Sequence, residues 1–233
     1  MRRVYNKVAV REAEGGGWGV ALDGRPLRTP AKNELTVPQQ RLAAAIAAEW
    51  DAQDPDIRPE RMPLTRLAAT AIDRTAAKRS DIAAEIANYA GTDLVCYRAE
   101  HPPALAARQE AVWQPLINWA VGRYDAGLAV TAGIVPVTQS PAALKAFAAA
   151  VESQDDFRLT ALQAITAACG SLVIALALLE GRVDAAAAFT ASQLEETFQI
   201  EAWGEDAEAA ARRAALAADI AATARFLELL GDG

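Results

Sequence analysis

Residues with chemistry to offer are few and scattered. The densest group is the run Leu194-Glu195-Glu196-Thr197-Phe198-Gln199-Ile200-Glu201-Ala202-Trp203-Gly204. Paired carboxylates do acid–base work when they share a proton site. Glu195 and Glu196 are adjacent, so on a helix their side chains diverge by about 100° and cannot share one. His101 is the single histidine and stands before Pro102-Pro103. With no second histidine and no neighbouring cysteine it implies no zinc site. The chain also lacks a Gly-x-Ser-x-Gly elbow for a serine triad. Gly15, Gly16, Gly17 and Gly19 miss the last glycine of a dinucleotide fingerprint, and a strand follows instead of a helix. No cofactor and no metal are implied. Asp93 and Glu195 remain as the carboxylates of an alternative reading, a small-molecule enzyme using a carboxylate acid/base. That reading requires a deep pocket with converging polar groups.

The acidic run fits a gripping surface better than a catalytic one. Ala187, Ala191, Leu194, Phe198 and Ala202 recur at helical spacing and define an apolar stripe. Glu195 borders the stripe, with Gln199 one turn along, while Glu196 points nearly opposite. Gly204 is the expected left-handed terminator of the helix, and Trp203 is expected to pack its last turn on the core. Trp113, Trp119 and Trp50 are likewise expected as packing residues, Trp50 bracing the small domain against the bundle.

Composition narrows the partners. Of 233 residues, 52% are hydrophobic and 23% charged, which is a globular balance. The formal net charge of −7 argues against nucleic acid, because phosphate binding draws on clustered Lys and Arg. Cys96 and Cys169 lie far apart and are expected as buried, reduced thiols. The start of the chain reads as neither a signal peptide nor a transit segment. Residues 159–179 carry no charge, yet Thr160, Gln163, Thr166, Gly170 and Ser171 interrupt them. A buried bundle helix is expected there, without stable membrane insertion.

The elements that position these residues fall into two parts. Residues 7–11, 18–22, 25–28 and 34–37 read as antiparallel strands, with Asp23-Gly24 as a type I′ hairpin turn. Pro38 opens a covering helix through Leu42, Ile46 and Trp50. Pro55, Pro59 and Pro63 mark a linker. Helices are expected over 64–75, 79–90, 103–124, 141–152, 157–179, 184–202 and 206–230. Residues 93–98 and 128–135 are extended pieces able to pair. The expected fold is α+β: a small N-terminal antiparallel sheet with one covering helix over 1–58, then a larger, mainly α-helical domain over 59–233.

Several segments together resemble the assembly-chaperone family that handles the α subunit of F-type ATP synthase. They are Asp23-Gly24-Arg25-Pro26-Leu27 with Thr29-Pro30, Glu49-Trp50, Met62-Pro63-Leu64-Thr65, Thr92-Asp93-Leu94-Val95-Cys96-Tyr97-Arg98, Trp113-x-Pro115 with Trp119, and Leu194 to Gly204. The resemblance implies a non-catalytic protein that binds the unassembled α subunit and shields its interface until the β subunit replaces it. It implies client contacts at Glu195, Glu196 and Gln199, and structural or interdomain roles for Trp50, Trp203 and Gly204. Organellar members are mitochondrial. This chain, without their targeting extension, is expected to be a bacterial relative working in the cytoplasm.

Overall fold

The computed structural model describes residues 2–133 and 135–231. Residue 134, inside the extended piece expected over 128–135, lies outside the described residues, as do residues 1, 232 and 233 at the ends of the two expected domains. The chain packs as two compact units. One comprises Met1–Arg79, Asp155–Ala161 and Ala222–Gly233, the other Ser80–Gln154 and Leu162–Ala221.

The first unit is built on strand β2 (Trp18–Leu22), which pairs antiparallel with β1 (Val8–Glu12) so that Val10 faces Val20. The other edge of β2 is shared. β3 (Arg25–Pro26) pairs at one end, with Ala21 facing Pro26, and β4 (Thr36–Val37) at the other, with Trp18 facing Val37. Asp23 (φ 48°) and Gly24 (φ 80°) both take left-handed backbone, as a type I′ turn requires. At Gly17 (φ +81°) a side chain is excluded twice over, because a Cβ would sit 2.8 Å from the Val37 carbonyl oxygen.

Helix α1 (Gln40–Asp51) lays Leu42, Ala43 and Ile46 against Val20, Leu27, Leu35 and Val37 of the sheet layer. The expected covering helix is therefore present, but the core needs more. Leu64 and Ala68 of α2 (Pro63–Thr70) enter it, and so do Ala161, Phe226, Leu229 and Leu230 from far along the chain. A sheet with an apolar face wider than one helix must find further cover to exclude water.

The start of α2 shows why two of the matching sequence segments belong together. Pro63 occupies the first turn, where its missing N–H costs nothing. The Glu49 carboxylate accepts the Leu64 and Thr65 N–H groups, each at 2.8 Å, and the Thr65 hydroxyl at 2.7 Å. Burial raises the Glu49 carboxyl above the usual carboxylate range, and these bonds pull it partly back. Beside it Trp50 packs on Tyr5, Ile57 and Met62, with its ring centroid 5.9 Å from that of Tyr5. The Tyr5 hydroxyl donates to the Trp50 carbonyl at 2.7 Å.

The remaining helices are α3 (Arg79–Asn88), α4 (Pro103–Tyr124), α5 (Pro141–Glu152), α6 (Asp156–Cys169), α7 (Leu172–Leu179), α8 (Ala185–Ser192), α9 (Leu194–Trp203) and α10 (Ala207–Leu230). The two extended pieces do pair: β5 (Tyr97–Arg98) runs parallel to β6 (Thr131–Ala132). Trp113 of α4 is fully buried, and its indole N–H donates to the Ala191 carbonyl at 2.8 Å. α7 is buried throughout Leu172–Leu178.

Two expected helices are each broken in two. The helix expected over 157–179 stops at Gly170 (φ +65°). α7 then restarts under Ser171, whose hydroxyl oxygen accepts the Ile174 N–H at 3.0 Å. Among the described residues no helix is long and apolar enough to cross a membrane. The helix expected over 184–202 breaks at Gln193. Thr190 and Ser192 donate back to the carbonyls of Ala186 and Phe189, and such back-bonding bends helices. The break dissolves the continuous stripe expected there. Ala191 and Leu194 are buried, but Ala187 and Ala202 are exposed.

Replacing Glu49 by alanine leaves the Leu64 and Thr65 N–H groups without their acceptor. The variant is expected to lose about 1–2 kcal/mol of stability, in the range of a lost helix cap. Urea unfolding checks this: the midpoint should fall with the slope unchanged.

Candidate partner-binding surface

Helix α9 is held from beneath by two consecutive residues of α4. Gln109 is fully buried. Its side-chain oxygen accepts the Ala99 N–H at 2.7 Å, and its side-chain nitrogen donates to Glu195 Oε1 at 2.6 Å. The Ala99 donor fixes which end of the amide faces which way, so Glu195 is met by an N–H donor. Arg108 makes a bidentate pair with Glu201, both contacts at 2.9 Å, and its guanidinium lies 5.3 Å from the Phe198 ring centre. Further round the helix, Arg213 of α10 donates to Thr197 at 3.0 Å and lies 3.9 Å from Glu196 and 3.2 Å from Glu205.

The sequence-predicted residues fall out unevenly on this frame. Glu195 and Gln199 are exposed. Glu196 is half-exposed, on a different side of the helix from the buried Leu194, and lies 3.9 Å from Arg213. Trp203, expected to pack on the core, is 81% exposed. The helix ends directly after it, and residues 201–208 are exposed throughout, so no layer covers the indole. Gly204 takes φ +83° and donates its N–H to the Ile200 carbonyl at 2.8 Å, ending the helix. Trp50 belongs to the first unit, among the contacts already described.

Glu195 also lines an open groove of about 410 Å³ with Tyr97, Arg98, Ala99, Glu100, His101 and Gly133. Among the described residues Glu195 has no cation within ion-pairing distance, whereas Glu201, Glu205 and Glu208 are paired with Arg108, Arg213 and Arg212. The buried amide of Gln109 was not predicted. A neutral residue in mid-helix carries no sequence signal of that role.

Asp93 does not meet the requirements of an acid or base open to substrate. It is fully buried, and its oxygens accept the Val173 N–H at 3.0 Å and the Val95 N–H at 3.2 Å. It closes the start of α7. Burial raises its pKa to about 6, against the pull of hydrogen bonds from Ser171, Val173, Val95 and Leu172. Cys96 and Cys169 are buried free thiols, pushed up to about 12 and about 11 chiefly by burial.

Comparisons with known proteins agree over most of the chain. The family model for the ATP12 chaperone protein matches residues 2–121. The mitochondrial protein atp12 of Schizosaccharomyces pombe is 26% identical over 221 residues, which is 89% of this chain and 76% of that protein. The crystal structure of Atp12 from Paracoccus denitrificans superposes with a TM-score of 0.94 at 44% identity, covering 98% of both chains. A protein from Agrobacterium tumefaciens gives a TM-score of 0.94 at 39% identity, covering 98% of this chain and 86% of that one.

The Asp93 environment sets a pH dependence. Its pKa is raised to about 6 in the folded chain, against about 3.9 in an unfolded one. The folded state therefore binds this proton more tightly. The stabilisation from Asp93 is full below pH ~4 and is lost as pH rises through about 6. The unfolding free energy of the wild type minus that of Asp93→Asn is expected to fall as pH rises from 4 to 7. Urea titrations across that window measure it, and a flat difference would assign the titration to another group.

Proposed function

The chain belongs to the ATP12 chaperone protein family, and from that membership we propose that it captures the unassembled α subunit of an F-type ATP synthase in the bacterial cytoplasm. It shields the interface of that subunit until the β subunit replaces it. The observation that carries this reading is the likeness to Paracoccus denitrificans Atp12, which extends over 98% of both chains at 44% identity. The resemblance of the acidic segment to that of α-subunit chaperones supports the choice of client.

The chemistry of the surface is in keeping with a cover that comes off again. An unassembled subunit exposes apolar surface that invites aggregation. A small contact set whose Glu195 carboxylate has no cation partner among the described residues favours quick encounter and correct partner choice over extreme affinity. Glu195, Gln199 and, at the edge, Glu196 are the client contacts. Release comes from competition by the β subunit and makes no use of bond cleavage. An enzymatic reading finds less support, because Asp93 is sealed inside the fold and Glu195 stands on an open groove.

The test is capture of the isolated α subunit by purified variants of matched helix content. Glu195→Lys is expected to weaken capture at least tenfold. Glu196→Lys should have the smaller effect, since its charge already faces Arg213. Equal capture by wild type and Glu195→Lys would remove Glu195 from the interface.

A further inference from the structure

The exposed face of α9 joins an apolar group to a charge at a fixed spacing. Glu195, Gln199 and Trp203 follow at intervals of four residues, so with the exposed Ala202 they fall within an arc of about 100° on the helix surface. All four are exposed. Trp203 stands at 81% exposure, in contrast to the fully buried Trp113. Eight residues of helix separate the two ends of the face by about 12 Å.

We propose that Trp203 is the apolar anchor of the client interface and works with Glu195 as a two-point clamp along the outer face of α9. The proposal rests on the chaperone reading above and specifies what the client must offer. It must carry an apolar pocket large enough for an indole and, about one such helix-face length away, a Lys or Arg side chain.

Charge complementarity identifies the basic half of this partner surface. Among the acids nearest Trp203, Glu201 pairs with Arg108, Glu205 with Arg213 and Glu208 with Arg212, while Asp206 accepts the Ala209 N–H at 2.8 Å as a helix cap. Glu195 has a neutral amide donor and no cation among the described residues. Gln109 is thus a positioning residue, fixing where the Glu195 carboxyl group stands. The indole is suited to the other end. It supplies a large rigid apolar area at low entropic cost, and a tryptophan left in water without a partner loses the burial that normally stabilises it.

The probe for the test is the isolated α subunit of the host's own ATP synthase. Trp203→Ala is expected to weaken capture at least tenfold at both low and high salt. Glu195→Gln keeps the hydrogen bond from Gln109 but removes the charge, so it should weaken capture at low salt and flatten the salt dependence. At about 12 Å the two effects should add in the double variant. The emission of Trp203, isolated as wild type minus Trp203→Phe, should move to shorter wavelength and lose acrylamide quenching in the complex. Capture by Trp203→Ala within twofold of wild type, with the indole still quenched in the complex, overturns the clamp and leaves the chaperone reading standing. Failure of the wild type to capture the α subunit overturns both.

Discussion

A helix whose outer face stays exposed must be secured through the rest of its surface, and α9 is held by α4 and by Arg213 of α10. The Gln109 amide spends both of its ends on fixed partners, the Ala99 N–H and the Glu195 carboxylate. Arg108, one residue earlier, clamps Glu201 and lies over Phe198. The hydrogen bond from a buried amide to a carboxylate is stronger than one between neutral groups. Its loss would leave a buried donor unsatisfied. The geometry of Glu195 is therefore set by the interior of the protein, although the carboxylate itself meets solvent.

The interior that supplies this support depends in turn on α7. Because α7 is buried over Leu172–Leu178, its first N–H groups cannot turn to water and need acceptors inside the fold. Ser171 supplies one through its hydroxyl oxygen and Asp93 another through its carboxylate. Desolvating a carboxylate opposes this arrangement, which is why the Asp93 proton is held so tightly. The balance favours the cap because several donors converge on one side chain. Asp93, one of the two carboxylates of the enzymatic alternative, thereby caps a helix inside the fold.

What could be read from the sequence was local. The Asp23-Gly24 hairpin needs only its own two residues to adopt left-handed backbone, and α4 appears over Pro103–Tyr124 as its spacing predicts. The helical spacing of the acidic segment, Leu194 to Trp203, was legible in the same way. What could not be read depended on partners distant in sequence. Nothing in Phe226 or Leu229 announces that they complete the core under a sheet near the other end of the chain. Gly170-Ser171 did carry a signal, a glycine before a capping serine, but the long uncharged run around it outweighed that signal. The break at Gln193 had a weaker one in the hydroxyls of Thr190 and Ser192. Missing it placed Ala202 in a buried stripe and Trp203 on the core.

That misplacement bears on how the surface works. Had the helix run unbroken, its apolar residues would have formed one inward seam, and the acids beyond it would have been ordinary solvated charges. The break at Gln193 lets α8 and α9 bury separate residues, Ala188 and Ala191 on one and Leu194 on the other. The end of α9 can then run clear of the core. The arginines around it pair with Glu201, Glu205 and Glu208, which would otherwise repel one another. Such exposed pairs add little stability, but each removes a charge from the pool available to a partner. An outer face that holds the Glu195 carboxylate at a fixed spacing from a bare indole discriminates by position more than by total charge. A contact of that size can be displaced by a partner with a larger complementary surface, since affinity depends on a few well-placed groups and not on area alone.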